Sequence, residues 1–299
     1  MEEQLAELRR LAARADNRRT ETGIPRVAMV KGRVPEHQLA AVYESMLNLI
    51  LQGSKSMSIG DQTLRYDPAT YFVMSVDLPA VGAVLPEADG APYLAVSLTL
   101  DPLVLGVLLA DLPEEPSPAA EASFSVAAVT PELLDAWVRM LRLMDTPRDI
   151  AALAPAYERE ILYRALQGPQ GALLRDVATP TTALARINVA IRWIRQNYAT
   201  PLRVEALAAL AGMSPSAFHR HFKRATALSP LQFQKRVRLL QSRLLLTNHG
   251  HKASTVAFDV GYESITQFNR EYARLFGLPP ARDVARIARG QERPALIAS

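Results

Sequence analysis

Two sets of side chains have the types and spacing to meet the edges of base pairs. Ser216, His219, Arg220 and Lys223 recur at i, i+3, i+4 and i+7, which gathers them on one face of a helix. Fifty residues on, Thr266, Asn269 and Arg270 form a second set. Arginine can pair bidentately with guanine and asparagine with adenine, while serine and threonine tolerate several bases. Arg220 and Arg270 have a second use, a grip on phosphate that positions a protein without reading sequence. His219 suits phosphate or solvent better than a base.

Each set sits in a copy of one unit. The first copy is ALAALAGMSPSAFHRHFK, Ala206 to Lys223, and the second is TVAFDVGYESITQFNREYARLFG, Thr255 to Gly277. Gly212 and Gly261 are offset by 49 residues, whereas Phe218 and Phe268, Phe222 and Tyr272, and Pro230 and Pro280 are offset by 50. The second copy therefore takes one extra residue after its turn glycine. Ser214 reads as an N-cap with Pro215 at the first helical position, where a missing N–H is harmless. Phe218, His221, Phe222 and Ala225 fall on the inner side of the first reading helix, which makes His221 a core histidine. Val256, Val260, Phe268, Tyr272 and Phe276 do the same for the second unit. Gln234 to Asn248 predicts one rigid helix between the copies, about 20 Å long at 1.5 Å per residue. Such a strut suits two readers set on successive major-groove faces, roughly 34 Å apart.

Charge is divided along the chain in the same sense. Residues 1–182 hold 16 Lys plus Arg against 24 Asp plus Glu, and residues 183–290 hold 17 against 5. A basic third following an acidic first part is the footprint of a nucleic-acid module. The chain has 299 residues, enough for two domains, and no cysteine, which removes disulfides, thiolate zinc sites and a cysteine nucleophile. No apolar run approaches the roughly 20 residues of a membrane span. The charged N-terminus lacks a secretory h-region, so the expected location is cytoplasmic.

The first half reads differently. Residues 1–19 predict one amphipathic helix. Short runs bounded by Gly, Asp and Pro predict strands of a sandwich or barrel at 47–53, 56–68, 70–79 and 93–102, with a hairpin turn at Gly60-Asp61. A short helix is expected at 103–112, an exposed loop at 113–122 and a strand in ASFSVAAVT. Thr130 and Pro131 open a helix with Leu134, Trp137, Leu141 and Met144 on one face, either a dimer interface or a cover for the barrel. Two short helices follow near 149–153 and 156–166, then a linker over 167–182. The boundaries become an arm at 1–20, a barrel domain at 21–166, the linker, a helical domain at 183–290 and a tail at 291–299.

Residues from about 184 to 289 resemble the C-terminal DNA-binding domain of the AraC/XylS-type bacterial transcription regulators. The resemblance is most specific in the second unit and the closing FGLPPAR, Phe276 to Arg282. Residues from about 20 to 165 are similar to the N-terminal domain of one subgroup, through VYESMLNLILQGSK (42–55), YDPATYFVMSVDLP (66–79) and APYLAVSLTLDP (91–102). The resemblance implies an α+β chain: a cupin-like barrel with appended helices for ligand sensing and dimerisation, then an all-α domain with two helix-turn-helix units. It implies groove contacts at Ser216, His219, Arg220, Ile265, Thr266, Asn269 and Arg270; Ile265 departs from the family pattern in being apolar, so a thymine methyl or no base contact at all fits it. Its partners would be double-stranded promoter DNA, RNA polymerase, a small-molecule effector and a second copy of the chain.

Within the barrel, Tyr43, Tyr66, Tyr71 and Phe72 are candidates to line a ligand pocket, with plain core packing as the alternative for each. Neither a metal nor a cofactor is expected. Residues 1–182 contain a single histidine, His37, in an expected loop, and Asp61, Asp67 and Asp77 fall at turns. The His249/His251 pair has no further ligand near it in sequence. A cupin-type enzyme is therefore a remote alternative, and a DNA-repair methyl-transfer protein would need the cysteine this chain lacks. A constitutive regulator whose first domain only dimerises is the other alternative.

Overall fold

Successive side chains in the apolar runs of the first half have two different destinations, and this decides the architecture. The computed structural model describes residues 1–16, 19–32, 37–85, 87, 89–113, 122–249 and 251–288, without the side chains of 37–39, 248, 249 and 288. Its strands are β1 (Arg19–Glu21), β2 (Val27–Gly32), β3 (His37–Tyr43), β4 (Met46–Gln52), β5 (Ser54–Ile59), β6 (Gln62–Tyr66), β7 (Thr70–Met74), β8 (Leu78–Leu85), β9 (Tyr93–Thr99) and β10 (Phe124–Ala128). They form a six-stranded sheet ordered β1-β2-β9-β4-β7-β10 and a four-stranded sheet ordered β3-β8-β5-β6. All pairings are antiparallel.

β4, β7 and β9 are apolar at nearly every position because the large sheet is covered on both faces. Leu47, Leu49, Val73 and Val96 face a layer of helices, whereas Ile50, Phe72, Met74 and Ala95 face the barrel interior with Met57 and Ile59 of the small sheet. The Gly60-Asp61 turn lies between paired Ile59 and Gln62, with Gly60 at φ +63°. The run at 70–79 divides into β7 and β8, which lie in opposite sheets. His37 opens β3 rather than lying in a loop.

The covering layer comprises α1 (Glu2–Ala12), α2 (Pro102–Ala110), α3 (Pro131–Arg142), α4 (Ile150–Leu166) and α5 (Gly171–Ala178). α1 stops at Ala12, short of the expected 19. Thr130 caps α3 by accepting the Leu133 N–H at 3.3 Å, with Pro131 at its first position. Leu134, Trp137 and Leu141 are sealed in the core shared with the large sheet. That stripe covers the barrel and is unavailable as a dimer interface. Removing the indole would cost about 3–5 kcal/mol. Instead of two short helices, α4 runs unbroken through Pro155. Its buried Ala154, Ile161, Leu162 and Ala165 offset the hydrogen bond the proline cannot make. Part of the stretch read as a linker is the helix α5, anchored by buried Leu173 and Leu174. Most of the expected loop at 113–122 lies outside the described residues.

The remainder is helical: α6 (Ala183–Gln196), α7 (Val204–Leu210), α8 (Pro215–Thr226), α9 (Pro230–His249), α10 (Ala253–Asp259), α11 (Ile265–Phe276) and α12 (Pro280–Ala288). α9 has 20 residues, hence a length of about 30 Å rather than 20. Two cores divide this half. Ile187, Ile191, Phe218, Phe222 and Phe233 belong to one cluster with Tyr43, Met57 and Phe72 of the barrel. Val256, Val260, Phe268, Tyr272 and Phe276 form a separate core with Leu239 and Leu240 of α9.

Candidate nucleic-acid interface

In the first unit α7 turns into α8 at Gly212, whose φ of +60° is costly for any residue with a Cβ. The Ser214 hydroxyl accepts the Ala217 N–H at 3.3 Å and Pro215 follows it. One side of α8 is therefore fixed by Phe218 and Phe222, whose rings lie 5.4 Å apart, with Phe233 of α9 a further 5.5 Å from Phe222. The opposite side leaves Ser216, His219, Arg220 and Lys223 exposed. His221 is half-buried at the edge, not sealed in the core. Its pKa is lowered by burial and then by Arg220, Arg224 and Arg186, which register the positive field around this helix.

The second unit repeats the construction with a tighter turn. A Cβ on Gly261, at φ +88°, would lie 2.2 Å from the Ala199 carbonyl oxygen, so only glycine fits. Ser264 accepts the Gln267 N–H at 3.3 Å and opens α11. Thr266, Asn269 and Arg270 are exposed, and Ile265 is 37% exposed beside them. Behind them Phe268, Tyr272 and Phe276 pack edge-on and tilted in sequence, with ring centroids 5.6 and 4.5 Å apart.

The residues that hold the two readers together are ones the repeat pattern does not single out. Arg238 of α9 donates to the carbonyls of Tyr198 at 2.6 Å, Ala199 at 3.2 Å and Thr200 at 3.1 Å. Its third nitrogen, Nη1, donates to the Gly261 carbonyl at 2.7 Å. One guanidinium thus ties the loop after α6 to the turn of the second unit. Gln234 adds donations to Tyr198 and Thr200. Farther along α9, Arg243 pairs bidentately with the fully buried Asp283 of α12 at 2.8 and 3.1 Å. Tyr272 and Arg286 also donate to that carboxylate, at 2.8 and 2.9 Å. Lys235, Gln267 and Tyr262 donate to Glu271, bringing its pKa down against the opposing effect of burial. The signal available in sequence was their helical spacing along α9, without any indication of their partners.

The barrel is joined to the first unit directly. The Ser123 hydroxyl donates to the Ala225 carbonyl near the end of α8, and Arg195 of α6 pairs with Asp77. Beside that pair a cleft of about 270 Å³ is lined by Val42, Asp77, Arg192, Gln196, Val237 and Gln241.

Of the four aromatic residues expected in a barrel pocket, Tyr43, Tyr66 and Phe72 face the interior, where Tyr66 and Phe72 stack at 5.2 Å. Tyr71 does not join them. Adjacent residues of a strand point to opposite faces, so Tyr71 enters the helical layer toward Gly168. Two interior residues escaped the sequence reading, Tyr93 and Lys55. Lys55 is 6% exposed, and its ammonium sits 4.8 Å from the centre of the Tyr43 ring.

No group of three or more His, Cys, Asp or Glu side chains gathers among the described residues as a metal would require. The His249 side chain and Gly250 lie outside them. None of the described helices is long and apolar enough to cross a membrane.

Comparison with known proteins agrees with this geometry. A profile described as the AraC-type transcriptional regulator N-terminus matches residues 23–173, and one for a helix-turn-helix domain matches 207–286. The HTH-type transcriptional activator RhaS of Klebsiella pneumoniae is 30% identical over 150 residues, 49% of this chain and 51% of that protein. RhaS of Escherichia fergusonii is 31% identical over 96 residues, 32% of this chain and 34% of that protein. The chain thus spans about half the length, or less, of these curated relatives. Apo ToxT from Vibrio cholerae superposes with a TM-score of 0.58 at 8% identity, covering 87% of this chain and 97% of ToxT. ToxT bound to an unsaturated fatty acid gives 0.57 at 10% identity, with 87% and 93% covered. At such identity the likeness concerns the fold. With one profile spanning half the chain and a second spanning the paired reading units, the chain belongs to the AraC-type transcriptional regulators.

Proposed function

We propose that α8 and α11 together bind promoter DNA, with Ser216, His219, Arg220 and Lys223 at one major-groove segment and Ile265, Thr266, Asn269 and Arg270 at the next. The observation that carries this reading is the exposure of both polar faces while the opposite faces are locked in core. α9, clamped to both units by Arg238 and Arg243, sets their separation. In this reading the chain is a cytoplasmic regulator rather than an enzyme, and a small molecule held in the barrel is its effector. Because the barrel shares its buried core with the first unit and meets the core of the second only through the partly buried Ala40 and Val42, a ligand that favours one docking of the barrel changes the pose of α8 relative to α11.

A second copy of the chain and RNA polymerase are the remaining proposed partners. Leu103, 79% exposed, and Val107 lie one turn apart on α2 and supply an apolar face for the dimer. The test is enrichment of duplexes from a random library by the full chain, followed by titration at physiological salt. A specific regulator binds the enriched duplex at least about 10³-fold more tightly than random DNA. Equal affinity for both would refute the reading.

A further inference from the structure

Among the described residues the barrel interior holds one cation, Lys55, and no matching anion. Lys55 projects inward from β5 among Met57, Ile59, Phe72 and Val84. It has no hydrogen-bond or ion-pair partner among the described residues, only the face of Tyr43. The buried carboxylates among the described residues are Glu158, Asp176 and Asp283, all on helices outside the barrel. Enclosing an unpaired ammonium in an apolar core is costly, so such groups are normally paired or neutralised. Burial alone pushes the Lys55 pKa down to about 8.

The surroundings are built around this side chain. Tyr66 stands directly across from Lys55 in the β5–β6 pairing, and Tyr93 enters from β9. Both hydroxyls are buried and have no hydrogen-bond partner among the described residues. The phenols are near enough to act on one another: burial and then Tyr93 and Tyr43 raise the pKa of Tyr66. The small sheet is pared back at the same place. A Cβ on Gly82 would lie 2.6 Å from the Tyr43 hydroxyl and 3.0 Å from Cε of Lys55.

We propose that the barrel selects a small carboxylic acid with an apolar body, its carboxylate taking the Lys55 ammonium and the hydroxyls of Tyr66 and Tyr93. The inference deepens the reading of the barrel as an effector site and rests on it. Donors without acceptors call for an anion, and a single ammonium matches the single charge of a carboxylate better than a dianion. The flat Tyr66 and Phe72 rings, stacked within 13° of parallel, supply a wall for the apolar body.

The test is thermal unfolding of the full chain with phenylacetate and hexanoate, each against its primary amide at matched ionic strength. Both acids raise the wild-type midpoint, and the amides act at least about 10-fold more weakly. Lys55→Met abolishes the preference for acid over amide and raises the midpoint of the ligand-free protein. Tyr66→Phe keeps the fold and weakens the acids several-fold, which guards against a misfolded lysine variant. Stabilisation by neither acid overturns the proposal, as does an acid response that survives Lys55→Met. Amides acting as well as acids would overturn the carboxylate while leaving an effector site in the barrel standing. If no probe acts and Lys55→Met destabilises the ligand-free protein, Lys55 is structural and the effector-site reading falls too.

Discussion

Gly60 and Ala227 meet where the barrel touches the first reading head: a Cβ on Gly60 would lie 2.6 Å from the Ala227 carbonyl oxygen. Gly60 is the turn of the β5–β6 hairpin, and Ala227 is the left-handed residue, φ +56°, that ends α8. With Ser123 holding the Ala225 carbonyl, the barrel seizes the C-terminal end of the reading helix and leaves its polar face open. A shift of the small sheet therefore reaches α8 without an intervening element.

Gly60→Ala tests that contact. The variant pays for its left-handed backbone and meets the Ala227 carbonyl, so urea denaturation should register a loss of about 1–3 kcal/mol. An unchanged midpoint would mean that the hairpin and α8 are not in contact in solution.

Arg220→Ala and Arg270→Ala separate reading from gripping. Both side chains are exposed, so the thermal midpoint should stay within a degree or two while affinity for the enriched duplex falls by about 1–3 kcal/mol. A guanidinium that reads a base also relaxes sequence preference at one position. One that grips phosphate weakens all duplexes alike and lowers the salt slope by about 1. Retained affinity in both variants would remove these residues from the interface.

Asp283→Ala probes the clamp between α9 and α12. It removes the carboxylate that pairs bidentately with the buried Arg243 and deprives Tyr272 of its hydrogen bond, a loss of about 3–5 kcal/mol. Because the second unit has its own core, unfolding of this variant should acquire a separate early transition, visible by calorimetry. A single unshifted transition would contradict that independence.

Lys55 gives a pH dependence of definite sign. The unfolded chain keeps this proton up to its ordinary value of 10.5, and the folded chain releases it near 8. Between those values the unfolded state binds more protons, so Lys55 lets stability rise with pH through that window. The facing Tyr43, Tyr66 and Tyr93 are all pushed upward by burial, away from the window. Relative to Lys55→Met, the ligand-free wild type should recover on the order of 3 kcal/mol between pH 7 and pH 10.5. A difference independent of pH would mean that Lys55 is not a buried cation.

The paired reading units were legible because their signals are local. Gly212 sits at a local turn and Ser214 with Pro215 opens the next helix within the same few residues, and the second turn glycine, Gly261, repeats the signal. β4, β5, β6, β7, β9 and β10 were legible for the same reason, since their runs end at turn residues, whereas β1, β2, β3 and most of β8 were not. Which face a strand residue takes was not, because β4, β7 and β9 are apolar on both sides and leave no alternation to read. Tyr71 and Phe72 are equally aromatic and only the helical layer separates their fates. Lys55 gave no warning either, since a lysine in a strand ordinarily faces water. The helix α5, the unbroken α4 and the docking of the barrel on α8 depend on long-range packing that no window of sequence contains.

Hydroxyl-radical footprinting of the full chain on an enriched duplex, beside Arg220→Ala and Arg270→Ala, tests most directly that two braced helices enter successive major-groove segments. Two protected patches on one face of the DNA are expected, about 10–10.5 base pairs apart. Each variant should erase a different patch. One patch only, or both variants weakening the same patch, would contradict a paired reader.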